Sequence, residues 1–323
     1  MRQLRIGVVG QSLEGAFLAQ SFEKLYGVES VAVQAPDDPQ EFLGILRSAR
    51  VDALVVCAPL NRRIYLVRKA LDEGLPVLAE TPMATELESL ASLLEERALR
   101  PGPPLIPITP WRFAPDLQLA RGILSGGALG DPASFEITMP GPGGFLLPNT
   151  KIETPVSAAA IIMHQGWVAL DLVRHLLGEV ASLQATRIRS SNAANPSLEG
   201  VEIAVRCANG WNGRVRLAVE SATPGAQWVR LTGDEGAVEL GWHASSFISS
   251  LGERARIGQG CFDMDNYERL ANAFADVAAK RVNPWITDAD LARTLELVQT
   301  AHMSLGAGLA VEAPHRQRRI VAA

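Results

Sequence analysis

The sequence predicts two domains: an α/β domain with a doubly wound parallel sheet over residues 1–120, and an α+β domain with a large, open, mainly antiparallel sheet over residues 121–323. Three observations support this prediction. The chain has 323 residues, which exceeds what one ordinary hydrophobic core organises. Short apolar runs alternate with helical patterns in its first third, as expected for a parallel sheet with crossover helices. Beyond that point, alternating strands joined by turns predominate.

The first strand is predicted at Leu4–Val9, a short apolar run that ends at Gly10. A turn follows, with glycines at Gly10 and Gly15 and with Ser12 between them, and then a helical pattern begins. In a dinucleotide-binding turn the first glycine makes the tight bend, the second admits a pyrophosphate, and the third allows close packing of helix and strand. Ser12 takes the second place, where its hydroxyl could contact a phosphate. The turn therefore indicates NAD or NADP binding, and the alternative is a strand-to-helix turn without a ligand.

The end of the second strand is less informative. In many NAD-binding domains an acidic residue there holds the ribose hydroxyls. Here that position falls on Gln34 or Ala35, and Asp37 and Asp38 lie just beyond it, where acidic residues are typical of turns. No arginine stands in this stretch to favour a 2′-phosphate. The choice between NAD and NADP stays open on this evidence.

The remaining elements complete the two predicted domains. The other strands of the first domain are predicted at 29–34, 52–57, 76–79 and 105–108. In the second domain one long apolar helix is predicted at 157–177, and it contains His164, Asp171 and His175. Strands are predicted there at 133–139, 181–189, 200–208, 213–221, 227–232, 237–242 and 309–312, with helices at 267–280 and 288–306.

Composition excludes several classes of protein. With 47% apolar residues, 20% charged residues and a formal net charge of −5, the chain suits a globular protein and argues against a nucleic-acid surface. No apolar run reaches the roughly 18 residues of a membrane helix, and no signal peptide is recognisable. The three cysteines are widely spaced, form no metal motif and favour a cytoplasmic location. We therefore expect no metal site, no nucleic-acid partner and no membrane contact.

The order of these motifs resembles the Gfo/Idh/MocA oxidoreductases, which include glucose–fructose oxidoreductase and inositol dehydrogenase. The resemblance covers almost the whole chain and depends on stretches at 10–15, 52–59, 74–82, 112–115, 127–130, 171–178 and 233–236. It implies a Rossmann domain, an α+β domain, and hydride transfer between NAD(P) and a carbon bearing a hydroxyl group, often on a sugar or cyclitol. It adds Pro59, Asn61, Glu80 and Thr81 to the expected cofactor-binding residues. It also implies a homodimer or homotetramer formed through the C-terminal sheet.

The catalytic positions depart from the family pattern. The family carries Glu-Lys-Pro after the fourth strand, where this chain has Glu80-Thr81-Pro82. In the family motif Asp-x-Gly-x-His-x-x-Asp, His164 replaces the first aspartate and Val168 replaces the histidine. Arg63 stands where a histidine often follows the third strand. The lysine and the Asp/His pair of the family are therefore all absent.

Few residues remain that could carry acid/base chemistry. His164 titrates near neutral pH and lies four residues before Val168, so it is a candidate for catalysis and for substrate binding. Lys151, in a segment rich in glycine and proline, is a second catalytic candidate, and Arg112 is a candidate for binding an anionic group of a substrate. The alternatives are a structural histidine, a solvated lysine and an arginine that braces the domain junction.

Three functions are compatible with this pattern. The first is a nicotinamide-dependent oxidoreductase with altered acid/base residues. The second is a non-catalytic sensor, regulator or partner subunit that keeps the fold, as the resemblance allows. The third is elimination or hydrolysis with NAD as a bound cofactor.

Overall fold

The computed structural model describes residues 3–140, 157–189, 199–219, 227–261 and 263–313. The chain divides into two compact units, of which the first comprises residues 1–114 and 262–295 and the second residues 115–261 and 296–323. The sequence interpretation places every residue after 120 in the second domain, whereas the structure returns the chain to the first unit at residue 262.

A parallel sheet of five strands forms the centre of the first unit, in the order β2-β1-β3-β4-β5. Its strands are β1 (Leu4–Val9), β2 (Val28–Val33), β3 (Ala53–Val56), β4 (Val77–Ala79) and β5 (Leu105–Pro107). The connecting helices are α1 (Leu13–Glu23), α2 (Pro39–Ala49), α3 (Leu60–Asp72) and α4 (Leu87–Leu99). This arrangement confirms the predicted doubly wound sheet.

The register of this sheet brings several loops to one edge. Val9 of β1 pairs with Val56 of β3, and Val56 pairs with Ala79 of β4. The residues that follow these strands therefore begin at the same edge, where parallel sheets bind ligands. Every residue of β3 and β4 is buried, because helices cover a central strand on both faces.

Three further elements of the first unit lie after β5. They are a 3-10 turn at Pro110–Phe113, helix α8 (Asp265–Ala278) and the first part of helix α9 (Asp288–Ala307). Phe113 packs edge-on against Trp285, with ring centroids 5.2 Å apart. Trp285 also donates its indole N–H to the hydroxyl of Thr109, 3.4 Å away. The segment that returns at residue 262 is thereby tied to the end of the parallel sheet.

The second unit is organised by a sheet of nine strands, in the order β13-β12-β11-β10-β6-β9-β8-β7-β14. Its strands are β6 (Pro132–Pro140), β7 (Val180–Arg189), β8 (Glu199–Cys207), β9 (Asn212–Val219), β10 (Gln227–Gly233), β11 (Gly236–Gly241), β12 (Ser245–Ser249), β13 (Arg254–Gly258) and β14 (Val311–Glu312). β6 and β9 run parallel, and the other paired strands run antiparallel. The large, mainly antiparallel sheet is thus confirmed, while β12 and β13 are additions that the sequence did not reveal.

The two faces of this sheet differ in polarity. In β8, Val201, Ile203 and Val205 are buried, whereas the side chains that alternate with them are polar or small. Charged side chains form ion pairs across the strands on the polar face, as between Arg230 and Glu239 at 3.1 Å. An alternation of this kind leaves one face of an antiparallel sheet toward solvent or a partner.

The long helix predicted at 157–177 is interrupted. It consists of α6 (Ala158–Ile161), a π-helical turn at Ile162–Gly166, and α7 (Trp167–Leu177). Helix α5 (Pro115–Ser125) also lies wholly in this unit. The side chain of Trp167 is buried and belongs to the hydrophobic core.

Candidate functional site

The glycine turn after β1 requires glycine at its first position. Gly10 has a φ of +104°, and a Cβ atom there would lie 2.1 Å from the carbonyl oxygen of Cys57 and 2.6 Å from the amide nitrogen of Ala58. At Gly15 a Cβ atom would come within 3.0 Å of Cys57 Cβ. Both glycines thus let β1 and α1 approach the end of β3, and no side chain at Gly10 covers the turn.

Ser12, between these glycines, is the N-cap of α1. Its Oγ accepts a hydrogen bond from the amide of Gly15 at 3.1 Å, which satisfies one of the free N–H groups at the start of the helix. The thiol of Cys57 also lies beside this turn, since a Cβ atom at Gly15 would be 3.4 Å from its Sγ. Burial, followed by the charges of Glu80 and Glu14, raises the pKa of that thiol, so Cys57 is neutral and contributes no charge.

The loop after β2 is contacted by an arginine from another element. Arg62, in the first turn of α3, donates to the carbonyl oxygens of Ala35 at 2.7 Å and Pro36 at 2.5 Å, and it lies 3.2 Å from the carboxylate of Asp37. The stretch after β2 itself holds no arginine, but the helix after the next strand brings one to it. Asp38 caps α2 through its carboxylate, as turn chemistry predicts.

The turn after β4 is braced by Arg63. This residue is 6% exposed, and its guanidinium donates to the carbonyl oxygens of Ala58 at 3.1 Å and Pro82 at 2.5 Å. It also forms an ion pair with the carboxylate of Glu80 at 3.1 Å. Where the family resemblance implies a histidine, the chain thus has a structural cation that holds Glu80, Thr81 and Pro82 at the edge of the sheet.

An acidic side chain completes this edge. Glu14, in the first turn of α1, accepts a hydrogen bond from the hydroxyl of Tyr267 at 3.2 Å. Burial, reinforced by the nearby charge of Glu80, raises the pKa of Glu14 to about 8, although the Tyr267 hydrogen bond and the charge of Arg63 oppose the shift. Glu14 is therefore largely protonated at neutral pH.

The predicted cofactor-binding residues lie at neighbouring strand ends. Gly10, Ser12 and Gly15 follow β1, Pro59 and Asn61 begin α3 after β3, and Glu80 and Thr81 follow β4. Because these strands share a register, their loops form one edge. Pro59 and Asn61 are exposed, and Thr81 is half-buried. The site can therefore present backbone N–H groups of α1 together with the Arg63–Glu80 ion pair and the protonated side chain of Glu14.

The other predicted site residues are placed separately. Arg112 is half-buried in the 3-10 turn after β5 of the first unit, and His164 is exposed in the π-helical turn of the second unit. Because a π-helix has more residues per turn than an α-helix, the four-residue spacing of His164 and Val168 does not correspond to one full turn there. Lys151 lies outside the described residues.

The sequence analysis identified neither Glu14 nor its contact with Tyr267 as part of the site. Glu14 stands between the glycines at 10 and 15 in the sequence, so an acid beside the expected phosphate-binding backbone could have been noticed there. Tyr267 is 253 residues away from Glu14 along the chain, and no local sequence pattern predicts their contact.

Among the residues that the structure describes, no helix combines the length and apolar character needed to cross a membrane. In the same residues, no group of three or more His, Cys, Asp and Glu side chains is arranged to hold a metal ion.

Known proteins that resemble this chain include several oxidoreductases. Residues 117–239 match the family profile of the GFO/IDH/MocA C-terminal domain. Inositol 2-dehydrogenase 4 of Saccharopolyspora erythraea is 26% identical over 261 residues, which cover 69% of this chain and 73% of that protein. Inositol 2-dehydrogenase of Mycolicibacterium gilvum is 25% identical over 263 residues, covering 75% and 72%.

A solved structure extends the similarity to the whole fold. An oxidoreductase from Agrobacterium radiobacter, crystallised in complex with NAD+, L-tartaric acid and magnesium, superposes with a TM-score of 0.75. The sequence identity is 18%, and the match covers 96% of this chain and 98% of that one. At this identity the likeness concerns the fold.

Proposed function

We propose that this chain is a Gfo/Idh/MocA-like oxidoreductase that binds NAD or NADP and acts on a sugar, a cyclitol or a related small hydroxy or carbonyl compound. The observation that carries the proposal is the turn at Gly10. A Cβ atom there would lie 2.1 Å from a backbone oxygen, so the open bend that a pyrophosphate needs is maintained by the residue type itself.

The residues present fit a dinucleotide. The amides at the start of α1 face the edge of the sheet, and a helix N-terminus attracts phosphate oxygens. Gly10, Ser12 and Gly15 would hold the diphosphate, while Pro59, Asn61, Glu80 and Thr81 would line the neighbouring strand ends. When bound, the nicotinamide ring supplies the centre that accepts or donates a hydride.

The chemistry on the substrate requires a group that exchanges the hydroxyl proton. Thr81 and Val168 cannot take up a proton at neutral pH, so the lysine and histidine of the family motif have no direct replacement. His164 is our proposed acid/base residue, because its side chain is exposed in the π-helical turn and imidazole is the side chain most often used for proton transfer. Such turns recur at functional sites. Lys151 is the second candidate, and Arg112 would bind an anionic group of the substrate.

The test is a substrate panel with both cofactors. Purified protein is incubated with myo-inositol, other cyclitols, aldoses and L-tartaric acid, and formation of the reduced nicotinamide is followed by absorbance. We expect turnover on at least one polyhydroxylated compound and a loss of about 100-fold in kcat for His164→Ala. His243→Ala, which removes an exposed histidine from a turn of the same unit, is the matched control and should retain full activity.

A non-catalytic role is the second candidate, and the residue at position 81 favours it. A threonine in place of the family lysine leaves the fold intact but removes a proton-transfer group. A sensor, regulator or partner subunit would bind the dinucleotide and turn over no compound of the panel with either cofactor. That result would contradict the oxidoreductase proposal and support this one.

A further inference from the structure

Glu14 is an acid at a place where the proposed ligand is an anion. It is the second residue of α1, directly after the turn that would hold a diphosphate, and its side chain is half-buried. Its Oε1 accepts the hydrogen bond from Tyr267, and the two side chains make no other hydrogen bond with each other or with further side chains among the described residues. A carboxylate here would repel phosphate, whereas a carboxylic acid could donate to it.

The groups that face Glu14 come from four elements. They are Tyr267 of α8, Glu80 after β4, Arg63 of α3 and Cys57 after β3. Arg63 is paired with Glu80, so these two charges balance. The Cys57 thiol is neutral because its pKa is raised, and burial also raises the pKa of the Tyr267 hydroxyl, which therefore remains a donor. The balance of charge at the site thus depends on the protonation of Glu14.

We propose that Glu14 is a further cofactor-binding residue, which acts as a neutral carboxylic acid and donates a hydrogen bond to an oxygen of the bound dinucleotide. The proposal rests on the function inferred above. Because Oε1 accepts from Tyr267, Oε2 is the oxygen that carries the proton toward the ligand. Ionisation of Glu14 removes that donor and adds a second negative charge beside Glu80, so the dinucleotide binds less tightly.

The dissociation constant of NADH or NADPH as a function of pH is the first measurement. With a pKa of about 8, binding that requires the protonated acid weakens about tenfold between pH 7 and pH 9. Glu14→Gln keeps a donor that does not ionise, so it should bind as tightly as the wild type at pH 7 and lose no affinity by pH 9. Glu23→Gln makes the same substitution at an exposed position on the same helix and should keep the tenfold loss.

A second variant tests the contact with Tyr267. Its hydrogen bond favours the ionised form of Glu14, so Tyr267→Phe should move the loss of affinity to higher pH. The ring of the variant retains the packing on Phe17, whose centroid is 5.3 Å away. A residue with a purely structural role would not shift the pH dependence in this direction.

A cofactor-free measurement separates this inference from the proposed function. The infrared carboxyl band of Glu14, identified by its absence in Glu14→Gln, should disappear as pH rises through about 8. Equal loss of affinity in the wild type and Glu14→Gln, or a carboxyl that ionises near its usual value, would overturn the inference while the proposed function stands. Absence of NADH and NADPH binding at every pH would overturn both, whatever the infrared titration shows.

Discussion

Replacement of Arg63 by methionine tests how the edge of the parallel sheet is held together. Methionine keeps the length of the aliphatic chain but removes the guanidinium. The change breaks the ion pair with Glu80, whose side chain is 20% exposed, and removes the donors to the carbonyl oxygens of Ala58 and Pro82. Loss of one partner of a buried pair costs roughly 3–5 kcal/mol. Because Glu80 retains some contact with water, we expect Arg63→Met to lower the free energy of unfolding by about 3 kcal/mol, the lower end of that range.

The free energy of unfolding of the first unit is the quantity to measure. Hydrogen exchange on peptides that cover β3 and β4 reports it without assuming that both units unfold together. Arg47→Met is the matched control, since Arg47 makes two hydrogen bonds to Glu73 at 2.7 and 2.8 Å but its side chain is 66% exposed. An exposed pair of this kind contributes less than about 1 kcal/mol.

The double variant Arg63→Met with Glu80→Gln separates the charge from the hydrogen bonds. Without the buried carboxylate, about 1 kcal/mol of the loss should return, while the carbonyl oxygens still lack their donors. If Arg63→Met costs no more than Arg47→Met, Arg63 is not the brace of this turn and the reasoning is refuted.

Three further predictions concern other parts of the molecule. Gly10→Ala should lower the free energy of unfolding by about 2 kcal/mol and abolish NADH binding, because its Cβ would lie 2.1 Å from a backbone oxygen. The control Gly27→Ala, at φ +77° in open space, should leave binding unchanged, and equal NADH binding by both variants would contradict this. Glu14 has a pKa of about 8 in the folded state and 4.5 in the unfolded state, so the stability it contributes is present below pH 4.5 and is lost as pH rises to 8. Denaturant titrations should therefore find Glu14→Gln increasingly more stable than the wild type between pH 4.5 and pH 8. A difference in stability that stays constant over this interval would contradict a raised pKa of Glu14. We predict that the polar face of the nine-stranded sheet joins the subunits of a homodimer or homotetramer. Arg230→Glu would then place a like charge beside Glu239 in the interface and should give a monomer in light scattering. An unchanged molecular mass would argue against this interface.

The fold could be predicted because its signals are local. The alternation of strands and helices, the glycines at 10 and 15, and the turns of the second half follow from backbone conformation and short-range burial. The return of α8 to the first unit could not be predicted, since it depends on contacts such as that of Phe17 with Tyr267 across a long stretch of chain. The π-helical turn at 162–166 also has no clear signature in an apolar helical pattern.

The site was predictable in part for the same reason. Residues that follow strands, such as Gly10 and Glu80, can be assigned to one edge from the order of the strands alone. Charge balance at that edge depends on residues far apart in sequence, as the Arg63–Glu80 pair and the Glu14–Tyr267 hydrogen bond show. The protonation of Glu14 is a property of the assembled site and is absent from the sequence pattern.

Titration of the purified protein with NADH and NADPH, followed by the fluorescence of the bound cofactor, tests the central claim most directly. The open bend at Gly10 and the capped start of α1 predict saturable binding in the micromolar range for at least one of the two dinucleotides. No binding at millimolar concentrations of either would contradict the claim that this edge of the sheet is a nicotinamide-cofactor site.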